Sequence, residues 1–163
     1  PHKERLWELM GQDTLFLFTG NALELMGEYI VKDDGSRINC LGIFPLYAKR
    51  DMMHRHNSIF LGTFEGQPVM GFKSQFTMAY PKSKSLELFP VEKGVGLNKN
   101  CSFEGVRYGK FFGTYLLGPI LLLNPPFTKY LLKCLGVENA HLALEQEVQA
   151  AYEKRLADFR AKA

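Results

Sequence analysis

An α/β sandwich is predicted for this chain: a twisted, mostly parallel sheet with helices on both faces. Three observations predict it. The run Leu15-Phe16-Leu17-Phe18 is apolar at every position and stops at Gly20, as a strand buried on both faces does where it turns into a helix. Segments of helical and of strand period follow one another along the chain. With 163 residues, 46% hydrophobic and 23% charged, the chain is long and apolar enough for one domain with a real core.

Residues 1–10 read as a helix, with Pro1 suited to the first turn, Leu6, Trp7, Leu9 and Met10 on one face, and Gly11 as the stop. Thr14 to Phe18 is the buried strand. Asn21 is placed to cap the next helix, whose Ala22, Leu25, Met26 and Tyr29 fall at helical spacing. Lys32-Asp33-Asp34-Gly35-Ser36 is a turn. Cys40 to Tyr47, Ile59 to Phe64 and Val69 to Tyr80 read as strands. In the last, Phe72, Ser74, Phe76, Met78 and Tyr80 share one face, and Lys73, Gln75, Thr77 and Ala79 the other. Lys82 to Gly105, rich in Gly, Lys, Asn and Ser, reads as loop with one short strand at most. Lys110 to Leu116 is a further buried strand. Asn124-Pro125 opens a helix that runs through Leu135 and closes at Gly136. From Glu138 onward a single long helix carries Leu144, Val148, Tyr152, Leu156 and Phe159 as its stripe. Its Glu145 and Glu147 come early and Arg160 and Lys162 late, in agreement with the helix dipole. The domain reading is therefore a sandwich over 1–137 and a terminal helix over 138–163, packed on that sandwich or on a partner.

Bulk properties exclude several classes. The formal net charge is +3 and the basic residues are scattered, so no nucleic-acid footprint is read. Phe111 to Leu123, the longest apolar stretch, is interrupted by Gly113, Gly118 and Pro119 and is too short to span a bilayer. Cys40, Cys101 and Cys134 are odd in number and irregularly spaced, which fits free thiols in a reducing cytoplasm. One feature is odd. A strand as apolar as Thr14 to Phe18 should have neighbours on both sides, yet a single helix precedes it. Either the fold is incomplete on its N-terminal side, the reading adopted here, or later strands supply both neighbours.

Two segments carry a family resemblance. Phe18 to Gly27, FTGNALELMG, resembles the nucleophile turn of class I (triad-type) glutamine amidotransferases, usually written V-C-G-G-Y-Q-L-L-G. Glu104 to Pro125, EGVRYGKFFGTYLLGPILLLNP, resembles their E-G-V-x-Y-x-N-F-x-G-T-Y-L-H-G-P-L-L-x-x-N-P, closest to the cobyric acid synthase type that includes the glutaminase subunit of lipid II isoglutaminyl synthase. Cys40 to Arg50 and Pro68 to Tyr80 match two intervening family segments more loosely. The resemblance implies a flavodoxin-like sandwich. It also implies a cysteine at a helix N-terminus, where backbone N–H groups stabilise a thiolate and an oxyanion, and a histidine that passes the proton. The ammonia released would go to a partner ligase or synthetase. Position by position, the family's cysteine falls on Gly20 and its histidine on Leu117, and neither replacement can do that chemistry. The family's glutamine-contacting Gln is Glu24, and its F-E-N-H reads Phe72-Lys73-Ser74-Gln75.

Other candidates are weaker. Thr19 has a hydroxyl but no evident base. His54 and His56 could form a metal pair on a strand but lack a third ligand. Cys101 could in principle meet one of those histidines as a displaced dyad, and Cys40 and Cys134 read as core residues. KGVGLNKN lacks the ending of a phosphate loop, and Lys93, Lys99, Arg107 and Lys110 around it read as wet surface. No cofactor and no metal are expected. The reading is an amidotransferase-like domain unable to hydrolyse glutamine, retained for binding, assembly or regulation. It keeps a pocket over Gly20 bordered by Asn21, Ala22, Glu24, Gln75, Tyr115 and Leu117 that could hold a glutamine-like amide. The alternative is a working glutaminase subunit that supplies ammonia to a ligase or synthetase in cobyrinate or peptidoglycan-precursor amidation.

Overall fold

The apolar run beside Gly20 forms β1 (Phe16–Thr19), and it lies parallel to β10 (Phe111–Thr114), with Phe16 opposite Phe111 and Thr19 opposite Thr114. The computed structural model describes residues 2–161, so Pro1 of the first helix and Lys162 of the last lie outside the described residues. β1 and β10 belong to a six-stranded sheet of order β1-β10-β9-β8-β5-β6, where β5 is His56–Phe64, β6 is Gln67–Gln75, β8 is Glu87–Lys93 and β9 is Phe103–Tyr108. A second sheet has the order β3-β2-β4-β7, from β2 (Tyr29–Val31), β3 (Arg37–Asn39), β4 (Leu46–Arg50) and β7 (Thr77–Pro81).

The mostly parallel sheet expected from the sequence is corrected to a mixed one. Among the described residues only β1–β10 and β2–β4 are parallel; the other pairs are antiparallel. Two-residue turns are the cause. Glu65-Gly66, with both φ positive, closes β5 onto β6, and Gly109-Lys110 closes β9 onto β10. Among the described residues β1 has β10 as its only strand neighbour.

Helices cover both faces of the large sheet, as a sandwich requires. Phe111 points to α1 (His2–Gly11), where Leu6 and Met10 pack with Phe16, Phe18 and Leu23. Phe112, its chain neighbour, points to α3 (Pro125–Cys134), where Phe127 and Leu131 pack with Phe60, Phe64 and Phe89. Phe64 is the hub, with edge-on ring contacts to Phe89, Phe112, Phe127 and Tyr130. The terminal helix is α4 (Glu145–Ala161) and begins seven residues later than the periodicity placed it. It packs on its own sheet: Tyr152 and its stripe mates Leu156 and Phe159 meet Leu61 and Met70, and the Tyr152 hydroxyl donates to Pro68 O at 2.8 Å.

Three further expectations shift. Residues 40–45 are irregular, so the strand read from Cys40 starts at Leu46. Val69 to Tyr80 is two strands in different sheets, parted at Phe76. The segment read as loop contains all of β8, whose Leu88 and Phe89 are buried. A short helix α2 (Ile120–Leu123) leads into α3. Between them Asn124 ties the helical layer to β6: its Oδ1 accepts from Met70 N at 2.7 Å, and its Nδ2 donates to Met70 O and Ile120 O, both at 2.8 Å. Asn124 is fully buried, so Asn124→Ala leaves three backbone groups without partners; the expected loss is about 2 kcal/mol in a urea titration monitored by circular dichroism.

Candidate functional site

Thr19 ends β1 in extended conformation and Gly20 follows at φ +65, the left-handed region that a side chain enters at a cost. This reversal carries the chain into the segment Gly20–Met26, which is a 3₁₀ helix rather than the α-helix expected. Thr19, not Asn21, stands at its cap position, and no side chain caps it. The tighter winding puts Leu23 and Met26, three apart, on one buried face. The segment ends at Gly27, whose backbone is extended and which has no room for a side chain, since a Cβ there would lie 2.6 Å from Leu46 Cδ1. The dipole of a long helix is therefore not aimed at Gly20.

Opposite the turn lies Leu117. A Cβ built on Gly20 would meet Leu117 Cδ2 at 3.5 Å, an ordinary van der Waals separation. Leu117 is held there by its own N–H, which donates to Phe72 O at 2.8 Å and bridges β10's continuation to β6. The two residues that sequence comparison paired with nucleophile and base are thus neighbours, 97 positions apart in the chain. Asn21 is exposed and Ala22 half-buried.

Glu24, from the same turn, points inward and is 4% exposed. The buried Tyr115 hydroxyl donates to its Oε1 at 3.2 Å. Burial pushes the Glu24 carboxyl up from 4.5 to about 7, and hydrogen bonds from Tyr115 and Thr77 and the charge of Arg50 oppose the rise only in part. The Tyr115 phenol is pushed well above its ordinary value by burial and by the nearby Glu24 and Glu104 carboxyls. Gln75 is 4% exposed; its Nε2 donates to Thr77 O at 2.6 Å, while its Oε1 is buried without a donor.

Beneath these residues runs a buried ion pair that sequence reasoning missed. Lys73 Nζ and Glu104 Oε2 are 2.6 Å apart and both side chains are fully buried. Lys73 also donates to Val95 O and Gly96 O, and Glu104 Oε1 accepts from Thr114 Oγ1 at 2.9 Å and Tyr115 N at 2.7 Å. The alternation in Val69 to Tyr80 is real, but its buried face is the polar one: Lys73, Gln75, Thr77 and Ala79 face in, and Phe72 is 44% exposed. Partners 31 residues away, invisible to local patterning, reverse the usual hydropathy rule.

The remaining candidates stand apart. Thr19 is exposed at the strand end. His54 bonds to Asp51 and His56 to Ser58 Oγ, so the two rings serve different partners. Among the described residues no three His, Cys, Asp or Glu side chains are grouped as metal ligands, and no cysteine is hydrogen-bonded to a histidine. Burial pushes the Cys40 and Cys101 thiols up, the wrong direction for a nucleophile. Of the cations read as wet surface, Arg107 pairs with Glu65 and lies over the Phe64 ring, and Lys110 pairs with Asp13. No helix among the described residues is long and apolar enough to cross a membrane.

The pairing of Gly20 with Leu117 across the turn is the point at which comparison with known proteins bears on the site. The chain is similar to GatD. It is 29% identical over 133 residues to the glutamine-hydrolysing lipid II isoglutaminyl synthase subunit GatD of Staphylococcus aureus, covering 78% of this chain and 54% of that protein. It is 28% identical over 128 residues to GatD of Streptococcus pneumoniae, covering 75% of this chain and 48% of that one. The likeness supports a glutamine amidotransferase-like family. The chain spans about half the length of these curated relatives. No protein-family model matches it.

Proposed function

We propose that this chain is a glutamine amidotransferase-like domain that does not hydrolyse glutamine, retained for binding or assembly with a ligase- or synthetase-type protein. The observation that carries the reading is the proximity of Gly20 and Leu117: a side chain at position 20 would meet Leu117, and neither residue can form a thioester or move a proton. The GatD relatives are subunits by name, which supports a protein partner here and a peptidoglycan-precursor setting rather than a cobyrinate one. A small amide would sit over Gly20, bordered by Asn21, Ala22, Glu24, Gln75 and Tyr115, and binding without turnover would be the retained property.

Ammonia release from glutamine by the purified chain tests this. The expected rate is that of the protein-free control. Turnover above that level, abolished by Cys101→Ala or Cys40→Ala, would establish the second reading, a working glutaminase subunit, which the glutamine-hydrolysing relatives favour. Calorimetry with glutamine separates a binding domain from an assembly domain, since heat is expected only for the former.

A further inference from the structure

A cavity of about 550 Å³ opens beside Gln75, between the end of β4, the start of β5 and residues 98–100. Its wall is unbalanced in charge. Lys49, Arg50, Arg55 and Lys99 line it, against Asp51 as the single carboxylate. The whole chain has 20 Lys and Arg and 17 Asp and Glu; removing the four and the one leaves sixteen of each, so the formal charge of +3 resides on this wall. Arg50 is partly spent on Asp33, at 3.0 Å, and Asp51 on His54. Lys49, Arg55 and Lys99 make no ion pair among the described residues. Lys49 lies 5.2 Å over the Tyr80 ring and Arg55 5.5 Å over the Phe76 ring, so two of the cations are held in place by aromatic faces.

Gln75 supplies a second, independent observation. It lines the same cavity, and its Oε1 lacks any donor although the residue is 4% exposed. A buried carbonyl oxygen in this state keeps an unused hydrogen-bond acceptor that a ligand donor would satisfy. A concave, cation-lined wall concentrates anions, and the missing donor adds a polar requirement to the charge.

We propose that this cavity binds a small phosphate-bearing metabolite, with Lys49, Arg55 and Lys99 on the phosphate oxygens and a ligand hydroxyl or amide N–H donating to Gln75 Oε1. A free amino acid is a poor match, because its ammonium group would face the same cations. Gln75 borders both this cavity and the proposed amide pocket, whereas Lys49, Arg55 and Lys99 belong to the cavity alone, so phosphate binding that depends on those cations is read out separately from glutamine binding or turnover.

Pyrophosphate titrated into the full chain at low ionic strength should give a saturable heat, and the ring signals of His56, which also lines the cavity, should shift in the proton NMR spectrum. Arg55→Glu/Lys99→Glu should weaken binding by at least about tenfold. Lys133→Glu/Lys154→Glu changes the net charge equally on α3 and α4 and should leave it within about twofold. Gln75→Met, which removes the carbonyl at similar volume, should weaken glycerol 2-phosphate, which carries hydroxyls, more than pyrophosphate. The proposal is overturned if neither phosphate compound binds saturably, or if the two double variants weaken binding equally, which would mark a response to net charge alone.

Discussion

Lys73→Met should destabilise the fold by roughly 3–5 kcal/mol, because it strands the Glu104 carboxylate, fully buried, with hydrogen bonds from Thr114 and Tyr115 but no counter-charge. For a chain of this length that loss lowers the melting temperature by roughly 6–20 °C in calorimetry. The double variant Lys73→Met/Glu104→Gln should recover most of it. The carbonyl of the introduced amide would keep accepting from Thr114 and Tyr115, and no charge would be left buried without a partner. A single-variant loss below about 1 kcal/mol, or a double variant no more stable than the single, would show that the pair does not stabilise the packing between β6 and β9. The position matters for the site. Glu104 accepts from Tyr115 N, and Tyr115 in turn bonds Glu24, so the pair fixes the floor beneath the Gly20 turn.

Local chemistry explains what was legible in the sequence. The Gly20 reversal, the strands β1 and β10, α3 opened by Asn124-Pro125, and the α1 stripe are each specified by residues close together in the chain, and all are present, although β10 is buried throughout and β1, at the sheet's end, only half-buried. The strand direction was misread because an apolar run marks burial on both faces, not the sense of its neighbours. The sense was written in Glu65-Gly66 and Gly109-Lys110, turn pairs that are weaker signals than Asn-Gly. β8 was missed because Glu87, Pro90 and Glu92 dilute its apolar positions, although Leu88 and Phe89 are buried. In the site, Gly20 and Leu117, which the resemblance pairs, are neighbours in space. The Lys73–Glu104 pair and the cationic wall could not be read from periodicity, since each depends on contacts between elements that lie far apart in sequence. Lys99 illustrates the limit: an exposed lysine in a glycine-rich loop reads as solvated surface until β4 and β5 are placed beside it.

Glu24→Gln should flatten the pH dependence of stability and raise stability in mild alkali. The native carboxyl titrates near 7, against 4.5 when exposed, so between these values the folded chain keeps a proton that the unfolded chain has released. The folded state then binds more protons than the unfolded one, and stability falls as pH rises. The contribution is complete below about pH 4.5 and is lost through pH 7, reaching about 3 kcal/mol at its limit. Gln at this position cannot ionise, and its carbonyl still accepts from Tyr115 Oη. Denaturant titrations should therefore show the variant matching the native chain near pH 5 and exceeding it by roughly 2–3 kcal/mol at pH 8.5. His56, whose pKa is lowered by burial and by the charges of Lys73 and Lys99, slopes the opposite way but is common to both proteins and cancels in the difference. Parallel curves would mean that Glu24 ionises freely and is solvated. The expected result carries a structural meaning as well: a buried carboxyl that stays protonated up to about pH 7 presents both a carbonyl acceptor and a donor, the two kinds of group that an amide would present at that position.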